Sequence, residues 1–325
     1  MCVGWSDAVK EPITGDASAR QYHRLTQPES GQTAILMDAP LDLCGTMQPF
    51  VEVASYLSNV GLSAPKIMHQ DIEQGFLLLE DLGRAVFAAE IASDPRREAP
   101  LYTAAVHLIA KLHDHPNERL PLYDADKMAE AVDLAFLHYR ATPTDKLDAP
   151  AKDASALLWE HLTQLSNFST VSLRDYHAEN LLWLPDRDED KRVGLLDFQD
   201  AVQTHPAYDL VSLLRDARRD VSPELADHLI GVFCHLRGYD EDRFRAEAAL
   251  ISVQRNLRIL GIFARLSRQM GKPHYVDLIP RVWDHLQRDL DHPSLDRLRP
   301  TLRTILPAPE PDFLTILRSP CQTLR

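Results

Sequence analysis

Two short apolar runs joined by a highly charged segment constrain the second half of the chain most strongly. The runs are "NLLWL", residues 180–184, and "RVGLLDF", residues 192–198, and the segment between them reads "PDRDEDK". Apolar runs of this length on either side of a turn predict two strands that pair as an antiparallel hairpin. In such a hairpin the start of the first strand and the end of the second lie at the same edge. We therefore expect Asn180 and Asp197 to be neighbours, with Asp175 one short loop away.

Long amphipathic segments surround the predicted hairpin. In "LYTAAVHLIAKLHDH", residues 101–115, apolar side chains recur with the period of a helix and share one face. The same pattern recurs in residues 127–140 and 155–165, and a long candidate helix runs from Glu241 to Gln269. The part of the chain from residue 83 to residue 325 is therefore predicted to be mainly helical, with the hairpin as an insertion.

Short strand-like runs alternate with turn residues between Ile13 and Leu82 and predict an antiparallel sheet. The runs are "ARQYHRL", "TAILMDA", "KIMHQ" and "GFLLLE". Between the second and the third, "MQPFVEVASYLSNVG" predicts one helix whose apolar face is formed by Phe50, Val53, Ala54 and Leu57. The predicted fold class is α+β with two lobes, a small antiparallel-sheet lobe with one helix (residues 1–82) and a larger helical lobe (residues 83–325).

Composition excludes several classes of partner. A net charge of -13 opposes binding to nucleic acid or to an anionic membrane surface. No apolar run approaches the roughly 20 residues that span a bilayer, and the first twenty residues lack the apolar core of a signal peptide. The four cysteines are scattered, without the spacing of a zinc site, as in proteins of a reducing compartment. We expect a soluble cytoplasmic protein, a monomer or weak dimer, that binds neither nucleic acid nor membrane.

The predicted cluster of Asp175, Asn180 and Asp197 carries oxygen atoms that suit a hard cation. Magnesium takes one or two carboxylates together with substrate phosphates, so this cluster indicates a nucleotide site. Asp175 can then accept a hydrogen bond from an attacking hydroxyl and orient it towards the terminal phosphate. The simpler alternative for Asp175 alone is a turn residue ahead of a strand.

Two segments carry a family resemblance, "LRDYHAEN" around Asp175 and "LLDFQDA" around Asp197. They resemble the catalytic loop and the Asp-Phe-Gly segment of the kinase fold in its aminoglycoside and choline kinase branch. The resemblance covers nearly the whole chain and is closest to the bacterial kinases that phosphorylate the anomeric hydroxyl of N-acetylmuramate and N-acetylglucosamine in cell-wall recycling. The segments that carry this closer resemblance are "GDASARQYHRL", "AILMDAP", "RDYHAENLLWL", "VGLLDFQDA", "HPAYDLVSLL" and "QRNLRILGIFARLSRQMGKPHY".

The resemblance implies roles for individual residues. Asp175 would be the catalytic base, and Asn180 and Asp197 would bind magnesium. The turn and strand in "ITGDASARQYHRL" would cover the nucleotide phosphates, and "LEDLG" would be the hinge whose backbone binds adenine. The residues expected to bind the nucleotide are therefore Ser18, Arg20, Glu80 and Leu82. Glu52 stands where the helix of the small lobe carries an ion-pairing acid, although a solvated helix face is an open alternative.

One position departs from the wider kinase pattern. The third strand has no lysine to contact the α- and β-phosphates, and Met37 falls near that place. A methionine cannot donate a hydrogen bond to a phosphate. Arg20 and Arg24 project from the same face of the preceding strand because strand side chains repeat every second residue. We hypothesise that Arg20 reaches the phosphates instead.

The acceptor side is predicted from polar residues in two segments. His177 and Asp200 are candidates beside the catalytic loop, although a solvated residue and a cap are equally open readings of them. Arg255, Asn256 and Arg258 interrupt an otherwise apolar helix, and polar residues on a buried helix need partners. An N-acetyl sugar would supply amide and hydroxyl groups, and Arg255 or Arg258 would meet the lactyl carboxylate of N-acetylmuramate.

These features predict an ATP- and Mg2+-dependent kinase that phosphorylates a small-molecule sugar at a hydroxyl, most readily the anomeric one. A second hypothesis keeps the fold and changes the acceptor to an aminoglycoside or an amino alcohol. A third hypothesis is a nucleotide-binding scaffold without catalysis, motivated by the missing lysine. The presence of Asp175, Asn180 and Asp197 together argues against the scaffold.

Overall fold

The computed structural model describes residues 4–13, 19–140, 144–188 and 191–320. The chain divides into two compact units. The strand-rich unit contains Met1–Leu108 and Leu173–Ala201, and the helical unit contains Ile109–Ser172 and Val202–Arg325. This division differs from a single boundary at residue 82, because it groups the predicted catalytic loop and hairpin with the N-terminal strands.

A five-stranded antiparallel sheet with the order β1-β2-β3-β5-β4 forms the centre of the strand-rich unit. Its strands are β1 (Val9–Ile13), β2 (Gln21–Thr26), β3 (Thr33–Asp38), β4 (Ile67–Asp71) and β5 (Phe76–Glu80). The last four are the strands predicted from the sequence. The edge strand β1 was not predicted, because its residues "VKEPI" are all exposed and include a proline, which only an edge position tolerates well.

Helix α2 (Gln48–Asn59) is the predicted helix of this unit, and its buried residues are the four expected ones, Phe50, Val53, Ala54 and Leu57. Pro49 lies in its first turn, where the missing N–H has no helical partner to lose. Two shorter helices, α1 (Leu41–Cys44) and α3 (Phe87–Ser93), complete the helices that lie wholly in this unit among the described residues.

The predicted hairpin is present. Strands β7 (Leu181–Trp183) and β8 (Val193–Leu195) pair antiparallel, with Leu181 opposite Leu195 and Trp183 opposite Val193. All six residues are apolar or glycine and five of them are buried, which explains why a short hairpin stays folded inside a unit. The ends that carry Asn180 and Asp197 therefore share one edge, as expected.

The chain passes into the helical unit within α4 (Glu98–Leu112). The remaining helices are α5 (Ala125–His138), α6 (Ala149–Leu162), α7 (Ala207–Leu214), α8 (Pro223–Arg237), α9 (Glu241–Met270), α10 (Ile279–Leu290), α11 (Leu298–Ile305) and α12 (Pro311–Arg318). A two-stranded ribbon pairs β6 (Thr170–Ser172) with β9 (Val202–Thr204). Short 3-10 turns occur at Pro95–Arg97, Pro273–Leu278 and Pro293–Leu295.

Helix α9 is the central element of the helical unit. It begins after Asp240, whose side chain accepts a hydrogen bond from the backbone N–H of Arg243, and it ends at Gly271 in the left-handed conformation. Gly261 in its middle faces α5 so closely that a Cβ atom there would overlap the backbone of Leu134. The two helices therefore pack backbone to backbone, an arrangement that only glycine permits.

The fold class expected from the sequence is confirmed, with an antiparallel-sheet N-terminal part and a mainly helical C-terminal part. Across the described ranges, every helix is too short or too polar to cross a lipid bilayer.

Candidate active site

The loop after β6 holds Asp175 in a constrained conformation. Arg174 has a φ of 67°, in the left-handed region that a residue with a side chain adopts only at some conformational cost. The backbone N–H of Asp175 donates to the carbonyl of Leu173 at 2.8 Å, which closes the turn. The Asp175 side chain remains partly exposed. A strained backbone beside a partly exposed carboxylate is typical of a catalytic position.

Asn180 ties the same loop together. Its Nδ2 donates to the backbone carbonyl of Asp175 at 2.9 Å, and its own N–H donates to the carbonyl of His177 at 2.9 Å. Because Nδ2 faces the loop, the amide oxygen Oδ1 is directed away from that hydrogen bond and can serve as a ligand atom.

Asp197 follows β8 at the same edge. The N–H of Leu196 donates to the carbonyl of Asn180 at 2.9 Å, which brings the residue before Asp197 against Asn180. Asp197 has a φ of 55°, and the next residue, Phe198, is fully buried and packs on Phe50 of α2 with ring centroids 4.9 Å apart. A buried strand on one side and a buried ring on the other thus hold an exposed carboxylate.

The donor set of Asn180 and Asp197 fits magnesium. The described part of the chain contains no group of three or more His, Cys, Asp or Glu residues arranged to hold a metal ion. A magnesium site needs no such group, because this ion uses one or two protein oxygens and completes its shell with water and substrate phosphates. One amide oxygen and one carboxylate at a shared hairpin edge are therefore sufficient for a magnesium–nucleotide complex.

His177 and Asp200 differ in accessibility. The His177 side chain is 6% exposed, and its Nε2 lies 3.3 Å from Nδ2 of Asn180. Asp200 is exposed, in the turn that the N–H of Ala201 closes on the carbonyl of Phe198 at 3.1 Å. In this conformation His177 is placed to support Asn180 and is largely closed to a substrate, whereas Asp200 is open to one.

The neighbourhood of the missing lysine is apolar. Met37 is fully buried and lies opposite Tyr22 on β2 and Leu77 on β5. Arg20 is half-buried and its side chain forms a hydrogen bond with the hydroxyl of Tyr22. Burial raises the pKa of Tyr22, the charge of Arg20 opposes this rise, and the charge of Asp197 adds to it. Tyr22 therefore lies within electrostatic range of both Arg20 and the metal-ligand candidate Asp197.

Arg24, on strand β2, pairs with a carboxylate of its own unit. Its Nε and Nη2 donate to the two carboxylate oxygens of Asp81 at 2.6 and 2.9 Å, and Nη2 also donates to the carbonyl of Gly83 at 2.9 Å. Burial raises the pKa of Asp81, but the hydrogen bond from Arg24 and other favourable contacts outweigh it and lower the pKa overall. This buried bidentate pair fixes the segment after β5, so Arg24 is a structural residue of the hinge.

The side chains of the predicted hinge are also engaged. Glu80 accepts from Nη2 of Arg187 at 2.7 Å and from the backbone N–H of Lys66 at 3.2 Å. Leu82 is buried with Leu182 and Leu184. Both side chains are therefore engaged within the protein, and the nucleotide-binding role of this segment stays a prediction. Ser18 lies outside the described residues.

Glu52 of α2 is exposed and accepts a hydrogen bond from Nε2 of Gln48 one turn earlier, at 2.9 Å. Glu52 therefore lies on a solvated face of α2, which was the alternative to an ion-pairing role.

The acceptor-side candidates in the helical unit are mostly buried. Arg255 is 6% exposed and its Nη2 donates to Ser212 at 2.7 Å, while Asn256 is fully buried and donates to Ser252 at 3.1 Å. Arg258 is partly exposed. Of the three, Arg258 is the least buried.

Two residues near the site were not predicted, Tyr22 and Gln199. Gln199 donates Nε2 to Oδ1 of Asp197 at 2.8 Å. No motif marks either residue, but the period-two pattern of β2 places Tyr22 on the face shared by Arg20 and Arg24 and could have singled it out. For Gln199 the only signal is its position, two residues after Asp197 where the kinase segment has glycine.

The chain belongs to the phosphotransferase enzyme family: residues 10–246 match the model of that family. It is therefore a phosphotransferase, as the resemblance of its loop segments implied. An N-acetylmuramate/N-acetylglucosamine kinase from Caulobacter vibrioides is 36% identical to it, over 91% of this chain and 92% of the relative. A kinase of the same name from Pseudomonas aeruginosa is 32% identical, over 87% of this chain and 85% of the relative.

Solved structures of similar fold come from the same branch. The ADP-bound aminoglycoside phosphotransferase APH(2'')-Ib aligns with a TM-score of 0.61 at 13% identity, over 88% of this chain and 96% of that one. The choline kinase LicA from Streptococcus pneumoniae aligns with a TM-score of 0.60 at 15% identity, over 88% of this chain and 96% of that one. At these identities the likeness establishes the fold, and the fold agrees with the expected kinase class.

Proposed function

We propose that this protein is an ATP- and Mg2+-dependent sugar kinase. The observation that carries the reaction type is the arrangement at the hairpin edge, where Asn180 binds the backbone of Asp175 and adjoins the residue before Asp197. The acceptor class is supported by relatives that carry the name N-acetylmuramate/N-acetylglucosamine kinase and match along almost the full chain. The proposed product is the sugar phosphorylated at its anomeric hydroxyl.

In the proposed mechanism Asp175 accepts a hydrogen bond from the sugar hydroxyl and directs its oxygen at the γ-phosphorus. Asn180 and Asp197 would hold the magnesium ion, which supplies positive charge against the phosphate oxygens when it is bound. Phosphoryl transfer of this kind depends mainly on positioning and charge neutralisation. Arg20, held by Tyr22, would bring a further cation to the phosphates in place of the absent lysine.

Arg258, which is partly exposed, is proposed to contact the acceptor. N-acetylmuramate differs from N-acetylglucosamine in its lactyl carboxylate, and a guanidinium is the group that best recognises a carboxylate. Arg255, Asn256 and His177 would act on the sugar only through the residues they support, because all three are buried. The enzyme would act on small soluble sugars in the cytoplasm as a monomer or weak dimer.

ATP consumption tests the proposal when it is measured side by side with N-acetylmuramate, N-acetylglucosamine, kanamycin and choline. We expect turnover with the two amino sugars and a product that is labile in acid, as an anomeric phosphate is. Turnover with kanamycin or choline alone would favour the aminoglycoside or amino-alcohol alternative. Absence of turnover with all four would favour a nucleotide-binding scaffold.

The variant D175N distinguishes a catalytic base from a turn residue. Removal of a general base reduces turnover by about 100- to 10,000-fold while the Michaelis constant for ATP changes little. The matched control is D186N, which makes the same change at an exposed position in the hairpin turn. Equal activity of D175N and D186N would exclude the proposed role of Asp175.

A further inference from the structure

Gln199 is hydrogen-bonded to the carboxylate that is proposed to bind the metal. It lies two residues after Asp197, and its Nε2 donates to Oδ1 of Asp197 at 2.8 Å. The turn that carries it is closed by the N–H of Ala201 on the carbonyl of Phe198 at 3.1 Å, and Phe198 is anchored in the core against Phe50. The backbone that presents Gln199 to Asp197 is therefore held on both sides.

The orientation of the Gln199 amide follows from the chemistry of its partner. A carboxylate only accepts hydrogen bonds, so the NH2 group of the amide must face Asp197 and the carbonyl oxygen Oε1 must face away. Oε1 is buried and has no hydrogen-bond partner among the described residues. An unsatisfied buried acceptor destabilises the folded state, and folded proteins keep such a group chiefly where it has a further use.

We propose that Gln199 is a positioning residue that occupies Oδ1 of Asp197 and leaves Oδ2 to bind a single divalent cation. The proposal rests on the function proposed above and adds to it the number of metal ions and the way they are held. In the kinase segment this position is a glycine, which cannot restrain the aspartate, so both carboxylate oxygens can be shared between two ions. The buried Oε1 of Gln199 would accept a hydrogen bond from a water of the cation, because magnesium and manganese keep part of their water shell.

Metal binding measured without turnover tests this role. The probe is Mn2+, titrated by electron paramagnetic resonance in the presence of the non-hydrolysable nucleotide AMP-PNP. Wild type is expected to bind one Mn2+ per chain, and Q199L to bind it about tenfold more weakly, since a hydrogen bond to a charged group contributes on that scale. AMP-PNP affinity in the presence of EDTA should be the same in wild type and Q199L, because Gln199 acts through the metal ligand alone.

The variant Q203L is the matched control. Gln203 likewise donates its Nε2 to a single acceptor, the carbonyl of Leu120 at 2.8 Å, but belongs to the helical unit. Q203L should bind Mn2+ as wild type does. Q199A provides a second variant without the bulk of leucine, and its Mn2+ affinity should fall as in Q199L.

Two results would overturn the proposal: two Mn2+ ions per chain in the wild type, or Mn2+ affinity in Q199L and Q199A equal to that of Q203L. The wild-type stoichiometry decides the matter if neither Gln199 variant folds. A failure of the sugar-kinase proposal is visible separately, as a wild-type protein that phosphorylates no sugar while it still binds one Mn2+ with AMP-PNP.

Discussion

The ring of Phe198 packs on the ring of Phe50, with centroids 4.9 Å apart and a tilt of 32°. This contact joins the residue that follows Asp197 to the buried face of helix α2, and both side chains belong to the core of the strand-rich unit. The position of the Asp197 carboxylate therefore depends on the packing of α2 as well as on the hairpin.

F50L tests this dependence. The smaller side chain leaves a gap beside Phe198, and we expect turnover to fall about tenfold while stability falls by about 1–2 kcal/mol. F87L is the control, since Phe87 is also buried in the same unit but packs on Trp183 of strand β7. Steady-state kinetics measure the loss of turnover, and urea unfolding measures the loss of stability. If F50L and F87L lose the same stability and the same activity, the contact with Phe198 has no specific role.

R20A and Y22F test the replacement of the missing lysine. Loss of the Arg20 guanidinium should raise the Michaelis constant for ATP and lower turnover, each by about tenfold, because a charge-assisted contact to phosphate is lost. Y22F removes only the hydroxyl that bonds Arg20, so it should give a smaller change in the same direction. R84A is the matched control, because Arg84 is an exposed arginine of the same unit, paired with Glu11. Unchanged kinetics in R20A would rule out the hypothesis.

Secondary structure and the hairpin were predictable because they follow from local patterns. The four buried positions of α2 and the span of α9 are set by the 3.6-residue period, and the juxtaposition of Asn180 and Asp197 follows from strand pairing alone. The exposed edge strand β1 has no such pattern, since it packs no face against a core.

Side-chain partners were not predictable to the same degree. The pairing of Arg24 with Asp81 joins residues 57 positions apart. It could be predicted in place of a solvent-exposed Arg24 only from the register of the sheet. His177 illustrates the same limit, because a histidine is compatible with burial and with solvent, and only the tertiary structure places it beneath Asn180.

R258A and R255A distinguish a substrate contact from a structural one. Because Arg258 is partly exposed and is the proposed contact of the lactyl carboxylate, R258A should lower kcat/KM for N-acetylmuramate about tenfold and leave N-acetylglucosamine nearly unchanged. Arg255 is buried on Ser212, so R255A should reduce stability and slow both sugars to the same extent. Equal effects of R258A on the two sugars would remove the proposed contact with the lactyl carboxylate.

G261A tests the close contact between α9 and α5. A Cβ atom at this position would overlap the backbone of Leu134, so the helices must separate, which costs about 1–3 kcal/mol. G231A in α8 is the matched control, because the atoms nearest to its Cβ would be those of the Glu241 carboxylate, at ordinary contact distances from 3.6 Å. G231A should instead gain up to about 1 kcal/mol from the higher helix propensity of alanine. Thermal unfolding of both variants measures whether stability falls in G261A and rises in G231A.

Two buried histidines make the stability of the helical unit depend on pH. Burial, followed by the charge of Arg237, lowers the pKa of His113 to about 3. Burial, followed by the charge of Arg215, lowers the pKa of His285 to about 4. An unfolded histidine titrates near pH 6.5, so between that value and about pH 4 the unfolded chain binds protons that the folded chain excludes.

The free energy of unfolding should therefore be insensitive to these two groups above about pH 7 and fall as the pH decreases below 6.5, with each histidine contributing up to about 1.4 kcal/mol per pH unit. H113F keeps an aromatic ring against Phe233, which His113 meets edge-on at 5.7 Å, and removes the titrating group. Any packing cost of this substitution is the same at every pH, so each variant serves as its own control. Urea unfolding of wild type, H113F and H285F between pH 8 and pH 4 should show a shallower pH dependence in both variants. Parallel curves for all three proteins would mean that neither histidine excludes a proton in the folded state.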